Sequence, residues 1–268
     1  MSRWIINPLQ LFKNVREAGR IGVSARDRWN YLRWLYYDKG FGRANPTPRH
    51  ISFRLDPPLG VVHLAVRDNR GADQLVFGEV LIKRDYEVDV AVPNTVLDLG
   101  GNIGLATNYF GRRWPNAKLA VVEPVPTNVA ILRENLARND ITATVFPTAV
   151  GVSDGTVTMA LANLDCAHHI VANEKAAGPR GGISVEALSI PTILHRLGWE
   201  RIGLLKMDIE GYEAVLLRSQ PDWLHRVDAV CLEAFDNTIP VAELKTIAER
   251  YGFTTAVLPS KLQVWKRG

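Results

Sequence analysis

Cysteine is nearly absent from this chain, whose 268 residues include only Cys166 and Cys231. Two cysteines that lie so far apart are too few for a disulfide framework or a zinc cluster, and we expect both to be reduced thiols. Long apolar runs are absent as well, since no stretch approaches the ~18 residues that a membrane-spanning helix requires. The first residues also lack the apolar segment of a signal peptide, so we expect a soluble, cytoplasmic protein.

Acidic residues are scarce in the first 54 residues, which hold eleven Lys and Arg but three Asp and Glu. The local net charge is therefore +8, although the whole chain carries only +4. Aromatic residues are interleaved with these charges, among them Trp4, Phe12, Trp29, Tyr31, Trp34, Tyr36 and Tyr37. Such a segment suits packing against a larger domain or the second subunit of a homodimer, or contact with an amphipathic acceptor or a membrane surface. No nucleic-acid-binding module is recognisable, so we expect no nucleic-acid partner.

Hydrophobic periodicity divides the chain into two regions. The first, residues 1–70, is interpreted as an accessory region of helices and a small hairpin. Its two amphipathic helices and the two strands of its hairpin are predicted at residues 7–20, 24–37, 50–55 and 61–66. The second region, residues 71–268, is interpreted as a nucleotide-binding domain that begins with a helix over residues 71–85.

The stretch TVLDLGGNIG, residues 95–104, organises the second region. Its apolar run with a single acid, Asp98, is typical of a buried parallel strand that delivers one polar side chain to the rim of a sheet. Gly100 and Gly101 then allow a sharp turn and the close approach of a ligand. A helix begins after Gly104, so strand, turn and helix N-terminus together predict a nucleotide site.

This turn lacks the glycine pattern of a dinucleotide site. In G-x-G-x-x-G the second glycine lets the pyrophosphate touch the main chain, and here that position is Asn102. The charge of Asp98 would repel a diphosphate, but it suits the amino or sulfonium group of S-adenosylmethionine. We therefore predict S-adenosylmethionine as the cofactor. The alternatives are a nicotinamide-dependent oxidoreductase and a non-catalytic nucleotide-binding or scaffold protein.

A second acidic strand end, KLAVVEP at residues 118–124, places Glu123 twenty-five residues beyond Asp98. A carboxylate there can accept hydrogen bonds from both ribose hydroxyls of a nucleotide. Residues 142–151 predict the third strand and its exit, where Ala149 and Val150 offer an apolar surface to adenine. Strands and helices then alternate as far as a closing antiparallel hairpin, which predicts a doubly wound α/β sheet with Rossmann-like order.

Four segments together resemble the FkbM-type family of S-adenosylmethionine-dependent methyltransferases: VLDLGGNIG, VVEPVPTNVAILRENL, a TAVG step and LLKMDIEGYE. The resemblance runs from about Tyr86 to Phe235 and implies the seven-stranded sheet of a class I methyltransferase. It also implies O-methylation of a hydroxyl on a natural product, a sugar or a glycolipid. By the resemblance, Asp98 and the turn from Gly100 to Asn102 face the methionine part of the cofactor, and Glu123 holds the ribose. The full set of predicted cofactor-binding positions is Tyr86, Asp98, Gly100, Gly101, Asn102, Glu123, Pro124, Ala149 and Asp208. No acid between Ile141 and Gly151 is present to bind the adenine amino group, which leaves Thr148 or the main chain for that contact.

Methyl transfer to a neutral hydroxyl requires alignment of the two reactants and a base. Candidate bases are the acids Asp208, Glu210 and Glu233 and the paired histidines of a polar loop, His168 and His169. By the resemblance, Asp208 lies at the sheet rim beside the transferable methyl group. We predict Asp208, His168 and His169 as catalytic residues.

A metal-assisted reaction is the alternative to a simple base. Four residues near two adjacent strand ends carry hard oxygen ligands suited to a magnesium-type ion: Asp208, Glu233, Asp236 and Asn237. Acids at strand ends are common, and sequence spacing does not show that these side chains converge. A divalent metal is therefore not expected.

Overall fold

The computed structural model describes residues 8–37, 45, 47–160, 169–171, 181–219, 221–233, 238–260 and 262–268. The first described elements form what we term the N-terminal unit. It consists of helices α1 (Pro8–Ile21) and α2 (Ala25–Tyr36) and an antiparallel hairpin of β1 (Arg49–Leu55) and β2 (Gly60–Val66). All four elements were predicted from the sequence. The predicted helix over residues 71–85 is instead a short α-helix, α3 (Ala72–Phe77), that continues as a π-helix (Gly78–Lys83).

A seven-stranded sheet follows, which confirms the predicted α/β class with Rossmann-like order. Its strands are β3 (Thr95–Leu99), β4 (Lys118–Val122), β5 (Ala143–Phe146), β10 (Ile202–Met207), β11 (Val227–Leu232), β12 (Phe253–Val257) and β13 (Gln263–Arg267). The spatial order is β12-β13-β11-β10-β3-β4-β5, and β13 runs antiparallel to both of its neighbours. The helices between these strands are α4 (Leu105–Arg113), α5 (Pro126–Arg138), α6 (Ile190–Leu197), α7 (Glu213–Arg218) and α8 (Val241–Arg250).

The strand order reverses between β3 and β10. β3 pairs in parallel with β4 on one side and with β10 on the other. Val96 and Leu204 belong to the core on one face of the sheet, whereas Leu97 and Leu205 belong to the core on the other face. Because both faces are covered, a ligand can enter only at the strand ends, and the crevice at such a reversal is the usual binding place in an open α/β sheet.

A second sheet of four strands lies between β5 and β10 in the chain. Its strands are β6 (Ala149–Gly151), β7 (Gly155–Ala160), β8 (His169–Val171) and β9 (Gly182–Ser189), in the spatial order β6-β9-β7-β8. Residues 142–151, predicted as one strand and its exit, are therefore divided between two sheets. Pro147 lies at the break, where its missing N–H cannot continue a ladder of hydrogen bonds.

Aromatic side chains join the N-terminal unit to the rest of the protein. Tyr31 and Trp34 are buried and pack against Phe53 of the hairpin and Phe77 of α3. Trp34 Nε1 also donates a 2.8 Å hydrogen bond to the carbonyl of Arg67, just beyond β2. Two other aromatics, Phe12 and Trp29, remain more than half exposed.

Trp4 lies outside the described residues. Within the part of the chain that is described, every helix is too short or too polar to cross a membrane.

Candidate functional site

A cavity of about 340 Å³ opens at the carboxyl ends of β3, β4, β10 and β11. α3 and the π-helix form one wall, and the start of α5 and the second sheet form another. Among its lining residues are eight of the predicted positions: Tyr86, Gly100, Gly101, Asn102, Glu123, Pro124, Ala149 and Asp208. The cavity therefore joins residues that lie more than a hundred positions apart in the sequence.

The glycine turn forms the floor of this cavity, and its geometry is fixed by close packing. Gly100 has a φ of +83°, and a Cβ at this position would lie 1.8 Å from the main-chain oxygen of Asp208. A Cβ on Gly101 would lie 2.2 Å from the Val121 side chain. Both glycine N–H groups donate to the carbonyl of Val122 at 3.0 Å. The two glycines are thus required by neighbouring protein atoms, whatever ligand the turn contacts.

Glu123 is the buried carboxylate of the cavity, only 5% exposed. Its oxygens accept hydrogen bonds from the main-chain N–H groups of Asn102 (2.8 Å) and Val125 (2.9 Å) and from the Asn128 amide (3.2 Å). Burial raises the pKa of Glu123 to about 7, although these donors oppose the shift. The result is a preoriented acceptor with lone pairs available to a ligand that donates hydrogen bonds.

Asp98 lies behind the cavity wall, since it is not among the lining residues. Its carboxylate is 1% exposed and accepts a 2.6 Å hydrogen bond from the Thr107 hydroxyl. The ammonium of Lys206 lies 3.0 Å from the other carboxylate oxygen and donates to the carbonyl of Gly100 at 2.8 Å. Asp98 therefore affects the cavity through its ion pair with Lys206, because Lys206 does line the cavity.

Four further carboxylates line the cavity: Glu79, Asp208, Glu210 and Glu233. Burial raises the pKa of Glu210 to about 8 and that of Glu233 to about 7, and the charge of Asp208 adds to both shifts. Burial likewise raises the pKa of Glu79. With Glu123, these groups give the cavity more carboxylates than Lys206 can neutralise, so the site favours a cationic ligand or a bound proton.

Tyr86, which lies just beyond the π-helix, holds the side chain of Asp208 in place. Its hydroxyl donates to an Asp208 carboxylate oxygen at 3.2 Å, and the Lys206 ammonium lies 3.7 Å from the same oxygen. Burial, followed by the charge of Asp208, raises the pKa of Tyr86 well above its usual value. The phenol therefore stays a hydrogen-bond donor at neutral pH.

The remaining predicted residues are only partly accounted for. His168, Asp236 and Asn237 lie outside the described residues, and of His169 only the main chain, in β8, is described. Thr148 is 3% exposed and does not line the cavity. Its hydroxyl oxygen has no hydrogen-bond partner among the described residues, so its contact with adenine stays a prediction.

Sequence reasoning missed several residues of the site, among them Lys206, Glu79 and Asn128. The sequence does mark Lys206, because it is the single charged residue inside the apolar run IGLLKM. In the structure, the strand register places it beside Asp98. Glu79 lies on the π-helix and Asn128 on α5, and neither is marked by its neighbours in the sequence.

Residues 98–253 match the family described as the methyltransferase FkbM domain. This chain belongs to the FkbM methyltransferase family. Methyltransferase sdnD of Sordaria araneosa is 28% identical over 212 residues, which cover 67% of this chain and 82% of that protein. The 31-O-demethyl-FK506 methyltransferase FkbM of Streptomyces tacrolimicus is 27% identical over 235 residues, which cover 76% of this chain and 88% of that protein.

The fold agrees with a solved member of the FkbM family. The crystal structure of methyltransferase FkbM from Methylobacillus flagellatus KT superposes with a TM-score of 0.50 at 14% sequence identity. The match covers 96% of this chain, but this chain spans only 59% of that protein. The superposition extends beyond residues 98–253 and so includes much of the N-terminal unit.

Proposed function

We propose that this protein is an S-adenosylmethionine-dependent O-methyltransferase that acts on a hydroxyl group of a natural product, a sugar or a glycolipid. The observation that carries the proposal is the cavity at the strand reversal, which brings the buried carboxylate of Glu123 together with further carboxylates. These are Glu79, Asp208, Glu210 and Glu233. Membership of the FkbM family gives methyl transfer as the class of reaction. The cavity supports S-adenosylmethionine as the cofactor, and its carboxylates offer a proton acceptor for a hydroxyl group.

The charges of the cavity favour S-adenosylmethionine over a nicotinamide dinucleotide. Among the described residues, five carboxylates and one lysine line the cavity, and a pyrophosphate placed there would meet strong like-charge repulsion. The ammonium and sulfonium groups of S-adenosylmethionine are attracted instead. Glu123 would accept the hydroxyls of its ribose, and Ala149, Val150 and Met159 would cover its base with apolar surface.

Bound S-adenosylmethionine supplies a methyl group already activated by sulfonium, so the protein must supply alignment and accept a proton. Glu210 and Glu233 are suited to the second task, because a base whose pKa lies near neutrality combines ionisation with a useful proton affinity. Asp208, held by Tyr86, would orient the acceptor beside them. The catalytic role of His168 and His169 stays a prediction.

Oxygen as the acceptor atom has support from one relative. The Streptomyces tacrolimicus protein is named for a 31-O-demethyl substrate. Nitrogen-methylating enzymes of the nucleobase type place an Asn/Asp-Pro-Pro-aromatic motif after the strand that corresponds to β10, where this chain has DIEGYE. Both observations favour a hydroxyl acceptor.

Calorimetric titration tests the cofactor directly. S-Adenosylhomocysteine should bind saturably to the unsubstituted protein, Glu123→Ala should weaken binding about tenfold or more, and Glu134→Ala on the exposed face of α5 should not. Binding of NADH without S-adenosylhomocysteine would favour the oxidoreductase, and binding of neither would favour a scaffold. Transfer of labelled methyl groups into a cell extract, followed by mass spectrometry, would then locate the new methyl group on oxygen or on nitrogen.

A further inference from the structure

In the described part of the chain, the outer edge of β2 pairs with two side chains instead of with another strand: Asn135 of α5 and Asn139, the residue that caps the C-terminus of α5. Asn139 accepts from the main-chain N–H of His63 and donates to its carbonyl, both at 2.9 Å. Asn135 does the same with Ala65, at 2.6 and 3.1 Å, and also donates to the carbonyl of Ile103 at 2.8 Å. These asparagines therefore satisfy the strand edge and tie it to the loop that follows β3.

Arg67, two residues beyond Ala65, connects the end of β2 to residues at the cavity. Its guanidinium forms a two-pronged ion pair with Asp73 of α3, at 3.1 and 2.7 Å, and its main-chain N–H donates to the same carboxylate at 2.7 Å. Another guanidinium N–H donates to the Asn128 side-chain oxygen at 2.7 Å. Asn128 in turn donates to Glu123 at 3.2 Å.

We propose that Arg67 is a positioning residue for the cofactor, which holds the α3 wall of the cavity and the Glu123 carboxylate in a fixed relation. The inference rests on the proposed function, since it takes the nucleoside of the cofactor as the ligand of Glu123. Arg67 does not line the cavity, but Asn128 and Asn102 do, and its guanidinium lies 2.7 and 3.5 Å from their side-chain oxygens. The N-terminal unit, which Arg67 directly follows, is thereby connected to the cofactor site.

The choice of arginine follows from this geometry. A planar guanidinium can bind both oxygens of Asp73 and still direct a donor at Asn128, whereas a lysine ammonium keeps the charge but cannot span both partners. Asp73 is fully buried, so removal of the positive charge would leave an unpaired carboxylate and threaten folding. Arg67→Lys is therefore the informative substitution.

The hairpin contains a matched control. Arg49 forms a similar two-pronged pair with Asp68, and both side chains are buried. Neither residue lines the cavity. Arg49→Lys therefore changes the same kind of buried ion pair, next to the same hairpin, without altering the contacts of Asn128.

Titration of the full chain with S-adenosylhomocysteine tests the inference. We expect Arg67→Lys to weaken binding about tenfold and Arg49→Lys to leave it within about twofold, while both lower the melting temperature. Without Arg67, Asn128 should hold Glu123 less well, so the pH at which binding is half lost should rise. In a cycle with Asn128→Ala, the second substitution should add little to the first.

Hydrogen exchange on the unsubstituted protein supplies a second measurement that needs no variant. Coupling is reciprocal, so S-adenosylhomocysteine should slow exchange at the amides of His63, Ala65 and Arg67 but not at Val264 of β13. Unchanged exchange at β2, or equal affinities for Arg67→Lys and Arg49→Lys, would overturn this inference but would leave the proposed function intact. Failure of the unsubstituted protein to bind would instead overturn the proposed function, and this inference with it.

Discussion

Lys206 and Asp98 face each other across two adjacent parallel strands, with the ammonium 3.0 Å from the carboxylate. Burial would lower the pKa of Lys206, but Asp98 and Asp208 outweigh it and raise the pKa above its usual value. The ammonium also donates to the carbonyls of Leu99 and Gly100. The buried ammonium of Lys206 therefore connects the end of β3, the glycine turn and Asp208.

The first prediction concerns this pair. Lys206→Met leaves the Asp98 carboxylate buried and unpaired, so the free energy of unfolding should fall by about 3–5 kcal/mol in urea denaturation. Addition of Asp98→Asn should restore much of that loss. Lys245→Met, which removes an exposed pairing with Glu249, should change stability by less than about 0.5 kcal/mol. Equal effects of the two single substitutions would contradict the role given to the buried pair.

The second prediction is that cofactor affinity depends on pH through Glu123. The ionised carboxylate accepts hydrogen bonds from the ribose hydroxyls more strongly than the protonated acid does, and burial raises the pKa of this group to about 7. Affinity for S-adenosylhomocysteine should therefore increase as the pH rises from about 6 to about 8. Glu123→Gln should bind weakly and with little dependence on pH. A flat profile for the unsubstituted protein would show that Glu123 does not bind the ligand as an anion.

The third prediction concerns the proton acceptor. Because the pKa values of Glu210 and Glu233 are raised to about 8 and about 7, turnover at saturating cofactor should rise with pH over this range. Replacement of the true base by glutamine should lower kcat by about 10²–10⁴. Glu249→Gln, at an exposed position on α8, is the control. If neither glutamine variant loses turnover, Asp208 and the loop histidines become the candidates to examine next.

The fourth prediction is that EDTA leaves turnover unchanged. Asp208 accepts from Tyr86, and the Lys206 ammonium lies 3.7 Å from the same oxygen, where it would repel a divalent cation. Turnover before and after dialysis against the chelator is the measurement. Loss of activity that magnesium restores would instead support a metal held by Asp208 and Glu233.

The fifth prediction compares two glycines. Gly100→Ala brings a Cβ within 1.8 Å of the Asp208 carbonyl oxygen, in a left-handed conformation, and should cost about 2 kcal/mol or more of stability. At Gly19 in α1 a Cβ meets nothing within 4 Å, and alanine should stabilise the helix by about 0.5–1 kcal/mol. Thermal unfolding of the two variants should shift in opposite directions.

Much of this fold could be predicted from sequence because its signals are local. The strand around Asp98, the glycine turn and the strand ending at Glu123 each follow from apolar runs and their last residues. The break at Pro147 shows where local reasoning fails, since sheet membership depends on partners far along the chain. α6 was missed although Ser189 caps its first turn by accepting from the N–H of Thr192.

The site was predicted less completely than the fold, for a related reason. Glu79, Asn128 and Arg67 act through contacts between elements, and nothing in their own segments sets them apart from ordinary surface residues. The basic aromatic helices illustrate the same limit. Tyr31 and Trp34 prove to be core residues, whereas Phe12 stays exposed, and contact between this region and an acceptor or membrane stays a prediction.

The pairing of β2 with the asparagines of α5 bears on protein engineering. A chimera that exchanges the N-terminal unit between two methyltransferases will transfer a strand edge without the side chains that complete it. On a recipient helix that lacks Asn135 and Asn139, the main-chain groups of His63 and Ala65 would be left without these partners. Grafts of this unit should therefore succeed only when α5 is transplanted with the hairpin.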